Sequence, residues 1–318
     1  MKKLFYILTS LIVLASCSSD ADLDVPENKL IVFDATVETR GYEMTKQDLE
    51  CIYATAMVPE FTAQGFWLKT YFEDEEFVIG EDGNYYSNPP YYYPSTLPIN
   101  FFLYSPSEEE LGFEFCWDDW RWDWEKESGY WERDCYMYRF SPKQEISKQQ
   151  DFLFTIAAEV KGDDAPEAEK IVLDHLLTQV LISARSESLG YVYRVAGVKL
   201  SNIVSVGNLN TSSTWDLYYD EVTEYVDTYT TPFTLTSGKQ NVMNPDSGNA
   251  FLLPQKLRQD ATLAVYLQVC DLNGNKLYPS GTDEYAWVSK AISGEWYQSN
   301  KYEYKLDFTT WFESQQME

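Results

Sequence analysis

The chain has 318 residues, a length that predicts about two domains. Its 51 acidic residues against 24 Lys and Arg give a formal net charge of −27. This charge repels nucleic acid phosphates and argues against a nucleic acid partner. The 10 Trp, 25 Tyr and 17 Phe residues are typical of a strand-rich secreted protein.

The N-terminus carries a targeting signal. Lys2 and Lys3 precede an apolar run of about eleven residues, from Leu4 to Leu14. The run is too short to span a bilayer and predicts a signal peptide over residues 1–16. The sequence Leu14-Ala15-Ser16-Cys17 resembles the lipobox of bacterial lipoproteins, which implies cleavage before Cys17 and acylation of Cys17 with palmitate-type chains. A plain secretory peptide with a chance cysteine is the alternative.

The residues after Cys17 predict the final location. Ser18, Ser19, Asp20 and Asp22 resemble the export signal of Bacteroides-type surface lipoproteins, so the chain is expected on the outer face of the cell outer membrane. An anchor that faces the periplasm is the alternative. Residues 17–28 are predicted to form a lipidated tether, and no other segment is long and apolar enough to cross a membrane.

Alternation of apolar and polar residues predicts strands throughout the first half, at 31–37, 65–72, 76–79, 99–104, 113–124, 130–140 and 151–157. The charged segment 159–169, with Gly162 and Pro166, predicts a linker. The chain is therefore interpreted as an N-terminal β-sandwich over 29–158 and a C-terminal β-sandwich over 170–318.

The second half opens on an ambiguity between helix and strand. One helical face fits Leu173, Leu176, Leu177 and Val180, whereas the β-branched run that begins with Val180 and Ile182 favours a strand. Further strands are predicted at 191–200, 202–206, 215–236, 250–253, 262–270 and 302–308, with a hairpin turn at Asn273-Gly274. The expected fold class is all-β.

The chain lacks the residues of most catalytic sites. It has one histidine, His175, whose apolar surroundings in sequence predict a satisfied core residue. Nucleotide-binding and nucleophile-elbow motifs are absent from the sequence, so no cofactor, no metal and no enzymatic activity are predicted. A glycosidase that uses only carboxylates, such as Asp118, Asp119, Asp123 and Asp134, is the enzyme alternative, and calcium binding is left open.

A Trp-rich stretch is the most unusual part of the sequence. It contains Trp117, Trp120, Trp122, Trp124 and Trp131. One interpretation is an exposed aromatic platform for a glycan or a protein ligand, and the other is a hairpin buried against the first sandwich.

Four cysteines follow Cys17, namely Cys51, Cys116, Cys135 and Cys270. Four cysteines allow three pairings, and the sequence does not choose among them. Cys116 and Cys135 flank the Trp-rich stretch and form the candidate disulfide. Free buried thiols are the alternative.

Six segments together resemble the fimbrillin-like family of Bacteroides-type bacteria, whose members are subunits of type V pili. In chain order they are IVFDATVETRG, YYYPSTLPINFFLYSP, QQDFLF, VLDHLLTQVLISA, FLLPQKL and WVSKAISGEWYQSNKYEYKLDF. The resemblance implies two transthyretin-like Greek-key β-sandwich domains, no catalysis, and a structural role for His175. It also implies that VLDHLLTQVLISA is the opening strand of the second domain.

The resemblance further implies assembly by strand exchange with other pilus subunits. A protease would cut between Arg40 and Gly41, remove the strand Leu30–Val37, and leave a groove for a strand of another subunit. Arg40 as a plain polar residue is the alternative. The tail Glu313–Glu318 is short and polar for a donated strand, which keeps anchor, tip and stand-alone roles open. The runner-up function is a stand-alone surface lipoprotein that binds a glycan with the Trp-rich hairpin.

Overall fold

The computed structural model describes residues 29–38, 49–62, 65–94, 97–112, 115, 119–123, 128–132, 135–162, 165–243 and 248–316. Several of the predicted site residues lie outside these ranges: Cys17, Arg40, Gly41, Cys116, Trp117 and Trp124.

The described residues form twenty-one strands and two short α-helices. The first half contains β1 Phe33–Val37, β2 Cys51–Thr62, β3 Gly65–Ile79, β4 Tyr85–Ser87, β5 Ile99–Ser105, α1 Glu108–Leu111, β6 Asp119–Asp123, β7 Ser128–Glu132, β8 Cys135–Phe140, a 3₁₀-helix at Ile146–Lys148, and β9 Leu153–Val160. The rest contains β10 Glu169–His175, β11 Thr178–Arg185, β12 Tyr191–Val204, β13 Gly207–Asn210, β14 Trp215–Leu217, β15 Val222–Thr234, β16 Gln240–Asn241, β17 Ala250–Leu252, β18 Thr262–Asp271, β19 Lys276–Tyr278, β20 Ala286–Ala291, β21 Lys301–Asp307, and α2 Trp311–Gln315.

Seven strands form a closed ring in the first half, in the order β1-β10-β9-β5-β2-β3-β4. Alternation explains the ring, because every second side chain of its strands points to a common interior. In β1, Phe33 and Ala35 are fully buried while Thr36 between Ala35 and Val37 is exposed. The interior is aliphatic and aromatic, and it includes Ile52 and Leu103.

Two sheets form the second half. One has β16 and β17 on one side of β11 and β21 on the other, and β21 runs parallel to β11. The other has the order β15-β12-β18, with β19 and β20 beside β18. Inward residues of both sheets share one core, for example Val180 and Ile182 of β11 with Leu263 and Leu267 of β18. Two sheets around one core form a sandwich.

A third core joins the two halves. Phe154 of β9 and Leu177 lie in this cluster with Leu209 of β13 and Leu253. A three-stranded sheet, β14-β13-β8, crosses the same boundary because β8 comes from the first half and β13 from the second. The halves are therefore connected through apolar packing and through backbone hydrogen bonds.

The all-β fold class predicted from the sequence is confirmed, with corrections to individual elements. The ambiguous run at 171–182 is neither one helix nor one strand, because β10 ends at His175 and β11 begins at Thr178. The two strands predicted at 65–72 and 76–79 are one strand, β3. Gly129, placed between two strands by the sequence, lies within β7 opposite Trp122.

The largest difference from the sequence prediction is the pairing of β10. The sequence interpretation gave residues 170–175 to the C-terminal sandwich, whereas β10 pairs with β1 and β9 inside the first ring. The chain leaves the ring only after His175. The predicted boundary at residue 170 thus falls within a strand of the first ring, and the number of independently folding domains stays a prediction.

The C-terminal helix generates the first testable prediction. Phe312 of α2 is buried in the second core, and its ring lies 5.0 Å from that of Tyr191. Phe312→Ala should lower the free energy of unfolding by about 3 kcal/mol, because a large buried side chain leaves a cavity. Chemical denaturation measures this loss. The matched control is Gln315→Ala on the exposed side of α2, and an equal effect of both changes would contradict the packing described.

Candidate functional site

The strand β1 is the seam that closes the ring. Its five residues pair in parallel with β10, from Phe33 opposite Glu169 to Val37 opposite Leu173. On its other side only Phe33 pairs with β4, opposite Tyr85. The preceding residues continue this second contact, because the Ile31 N–H donates to the Tyr91 carbonyl at 2.9 Å.

The side chains of β1 fill the interior of the ring. Ile31, Phe33 and Ala35 are each 0% exposed. The Phe33 ring makes edge contacts with two others, at 4.9 Å from Phe77 and 5.1 Å from Phe101, measured between ring centroids. Phe33 and Ala35 belong to β1, and Ile31 lies two residues before it. This short segment therefore supplies a large share of the apolar contacts at the seam.

Burial favours the neutral forms of two ionisable neighbours of β1, Glu169 and Tyr85. Burial raises the pKa of the Glu169 carboxyl, which lies opposite Phe33. The pKa of Tyr85 rises to about 12, chiefly because of burial and further because of Cys51 and Asp34. The Tyr85 hydroxyl donates to the Leu49 carbonyl at 2.8 Å and so has an internal partner. The groove selects an apolar strand, since unpaired charges there would lose hydration.

The hairpin of β6 and β7 contains three of the predicted contact aromatics. Trp120 lies opposite Trp131, and Trp122 lies opposite Gly129. Within the described part of the chain, β6 and β7 pair only with each other. The structure describes the backbone of these residues, so an aromatic ligand platform remains a prediction.

His175 lies at the end of β10, where the chain crosses between the halves. Its Nδ1 is 2.5 Å from Asp151 Oδ2, and both side chains are buried. Its carbonyl accepts a hydrogen bond of 2.6 Å from the Ser299 hydroxyl. A buried, paired histidine agrees with the structural role that the sequence predicted.

The side chains of two cysteines are described, and neither forms a disulfide. Cys51 is half-buried and Cys270 is buried, and both are free thiols. Burial raises the pKa of the Cys51 thiol, with a further contribution from Glu76. Cys116 and Cys135 remain the candidate disulfide pair.

An acidic cluster at the start of α1 was missed by the sequence analysis. Asp74 of β3 and Glu108 of α1 both contact the hydroxyl of Tyr104, at 2.9 and 3.3 Å. The capping box of α1 was readable, because Ser107 and Glu110 have the required spacing. No sequence signal brings Asp74 to Glu108, since β3 and α1 meet only through the fold.

The described ranges contain neither a metal-binding cluster nor a membrane-spanning helix. Among these residues, no group of three or more His, Cys, Asp or Glu side chains is arranged to hold a metal ion. No described helix has both the length and the apolar character needed to cross a membrane.

Comparison with known proteins gives matches among solved structures. A fimbrial protein from Bacteroides vulgatus has a TM-score of 0.49 at 13% identity, over 87% of this chain and 95% of its own. A candidate cell adhesion protein from Bacteroides uniformis has a TM-score of 0.42 at 14% identity, over 89% and 94%. The fimbrial anchor protein of Porphyromonas gingivalis has a TM-score of 0.26 at 11% identity, over 78% and 80%.

No protein-family model matches the chain, and the search of curated proteins gives no match either. The three structures named above are fimbrial or cell adhesion proteins, the class that the resemblance in the sequence also names.

The packing of β1 predicts that an inward-facing residue of the seam contributes much more to the free energy of unfolding than an outward-facing one. Phe33→Ala should lower the free energy of unfolding by about 4 kcal/mol, because the fully buried ring would leave a cavity. Val172→Ala on the outer face of β10 is the control. Val172 is 52% exposed, so its loss should cost about 0.5 kcal/mol or less. Denaturant unfolding monitored by tryptophan fluorescence tests both, and a Phe33→Ala protein as stable as the control would refute the packing.

Thiol titration tests the candidate disulfide between Cys116 and Cys135. A protein with Cys17 replaced by Ser, denatured without reductant, should expose only the thiols of Cys51 and Cys270. Reduction should then release those of Cys116 and Cys135. Cys135→Ser is the matched variant and should leave Cys116 titratable before reduction. Four thiols before reduction in the parent protein would exclude the bridge.

Proposed function

We propose that the protein is a non-enzymatic, fimbrillin-like subunit of a cell-surface pilus, anchored by lipid and assembled by strand exchange. Its partners are other pilus subunits, and its lipid anchor at Cys17 holds it in the outer membrane before assembly. The strand exchanged is the segment Leu30–Val37, released by cleavage between Arg40 and Gly41.

The observation that carries this proposal is the seam at β1. The segment is short, it lies at the N-terminal end of the ring, and it pairs mainly with one neighbour, β10. Its loss would open a hydrogen-bonding edge on β10 and uncover Phe77 and Phe101 in an apolar groove. An alternating apolar strand from another subunit can fill this groove, with backbone bonds for affinity and alternate side chains for specificity.

The C-terminal segment supports a receiving role. Donation to a neighbour requires a free segment, whereas α2 buries Phe312 in its own core and packs the Trp311 ring 5.1 Å from Tyr278. The Phe312 N–H also donates to the Tyr193 hydroxyl at 3.3 Å. A subunit that accepts a strand and retains its own α2 fits a tip position better than a repeating stalk position, whereas an anchor would keep β1 and the lipid on Cys17.

A second function, adhesion to a glycan or protein through the Trp-rich hairpin, is compatible with a tip position. The observation in its favour is that β6 and β7 pair only with each other in the described part of the chain. Such a hairpin is available to a partner if its tryptophans are exposed.

Removal of β1 provides the test of strand exchange. A chain that starts at Gly41 should be less stable than the intact chain, because it lacks Ile31, Phe33 and Ala35 in its core. A peptide of residues 29–38, added in excess, should bind and raise the thermal unfolding temperature again. The same peptide with Phe33→Ala should bind at least about tenfold more weakly.

Strand exchange also requires N-terminal processing, which can be measured on protein purified from its native envelope. Mass spectrometry should find acylated Cys17 as the N-terminus of the unassembled form and Gly41 as the N-terminus of assembled material. A Gly41 chain that is as stable as the intact chain and does not bind the peptide would overturn strand exchange. Acylated Cys17 as the sole N-terminus would instead leave the protein as an anchor or a stand-alone surface binder.

A further inference from the structure

The outer face of the second sandwich carries a row of three aromatic rings. On β18, Leu263 and Leu267 point into the core, so alternation directs Tyr266 to the opposite face. The Tyr266 ring stacks on that of Trp287 of β20, with centroids 4.9 Å apart, and lies 5.3 Å from the ring of Tyr285, which directly precedes β20. All three rings are partly exposed. Tyr266, Trp287 and Tyr285 therefore form an apolar strip, called here the aromatic strip, whose rings hold one another in place.

Arg194 of β12 lies at one end of the aromatic strip. Its backbone is opposite that of Gln268, the next outward residue of β18 after Tyr266, and its Nη1 donates to Gln268 Oε1 at 3.0 Å. Gln268 is 5% exposed, and its Nε2 donates to the carbonyl of Glu284 at 3.0 Å. Glu284 directly precedes Tyr285. A buried amide that bonds to both sides therefore fixes the guanidinium group relative to the rings.

Arg194 differs from the other arginines whose side chains are described. Each of those has a carboxylate partner at 3.1 Å or less: Arg139 with Glu221, Arg185 with Asp307, and Arg258 with Asp260. Arg194 forms no ion pair within the described ranges, and its one hydrogen bond there is the bond to Gln268. A guanidinium group has five N–H donors. Since Arg194 is partly exposed, its other donors are accessible to a ligand.

The charges on this face favour a ligand with a carboxylate. A guanidinium group binds a carboxylate through two parallel hydrogen bonds. Lys199, a second cation on this face, is already paired with Glu224 at 3.2 Å and lies 5.2 Å from the centre of the Trp287 ring. Arg194 is thus the position that a carboxylate would occupy. The net charge of −27 repels a densely charged polyanion, so we expect a ligand with a single carboxylate.

The position of the aromatic strip favours a glycan over a peptide. The backbone of β18 pairs with β12 on one side and with β20 on the other, so the strip lies on the face of the sheet and not at an edge. Peptides that bind to sheets typically add a strand at an open edge. A sugar ring needs no backbone partner, because its C–H groups pack on aromatic rings while its hydroxyls bond to polar side chains.

We propose that the aromatic strip and Arg194 form a binding site for a glycan that carries a single carboxylate. The Arg194 guanidinium binds the carboxylate, and the neighbouring sugar packs against Tyr266, Trp287 and Tyr285. The site contains no residue of β1 and none of the Trp-rich hairpin. It therefore gives the second sandwich an adhesive function that is independent of strand exchange, and either proposal can fail without the other.

Calorimetric titration of the full chain tests the site with matched acidic and neutral probes. Cellobiouronic acid is compared with cellobiose, and sialyllactose with lactose. At least one acidic probe should bind at least about tenfold more tightly than its neutral counterpart, because it alone pairs with Arg194. The same probe should shift the NMR signal of the Trp287 indole N–H, which Trp287→Phe identifies by its loss.

Variants of two cations in the same sheet separate the site from a general charge effect. Arg194→Gln should reduce the affinity for the acidic probe about tenfold, to that of the neutral one. Arg194→Lys keeps the charge without the planar fork and should also weaken binding. The control is Lys290→Gln, which removes a charge from β20 opposite Leu263 and should bind as the parent protein does.

Thermal unfolding of each variant verifies that the fold is intact, and Arg194→Lys serves as the test if Arg194→Gln does not fold. Three results would each overturn the proposal: neither acidic probe binds at about 10 mM, each acidic probe binds no more tightly than its neutral counterpart, or Lys290→Gln weakens binding as much as the Arg194 variants do.

Discussion

The parallel pairing of β1 with β10 is the constraint on which the first half of the structure depends. Without it the remaining six strands have two free edges, and the ring does not close. Phe33 occupies the interior only because the register with Glu169 and Tyr85 places it there. A shift of that register by one residue would direct Asp34 and Thr36 inward, which the apolar neighbours Phe77 and Phe101 could not accommodate.

The same pairing determines how the two halves are connected. Because β10 completes the ring, the crossover to β11 consists of Leu176 and Leu177, and both side chains are buried in the third core. The Leu176 N–H donates to the Phe152 carbonyl, and its carbonyl accepts from Trp215 Nε1, each at 2.8 Å. Both backbone groups of Leu176 are therefore satisfied inside the protein, as buried backbone polar groups require.

The alternation of apolar and polar residues predicted much of the fold. Where this pattern failed, the cause can be identified. Strands whose two faces differ in polarity, such as β1 and β18, were located to within a few residues. The run at 171–182 was not, because Leu176 and Leu177 are apolar in a crossover and so extend the pattern of the strands on either side. The membership of β10 in the first ring depends on a partner far away in sequence, and local pattern carries no such information. The convergence of Asp74 and Glu108 on the Tyr104 hydroxyl is hidden for the same reason.

A closed ring is also compatible with the proposed exchange of β1. An open edge with an apolar groove beside it would pair with any extended segment, and proteins normally cover or charge such edges. Here β1 covers the edge of β10 with backbone pairs and fills the groove with Ile31, Phe33 and Ala35. Since those contacts are intramolecular, they form at a high effective concentration, and an outside strand competes only after β1 has left. In the proposed strand exchange, the strand that stabilises the isolated chain is therefore also the strand that delays its assembly, and control of assembly reduces to control of the chain between β1 and β2.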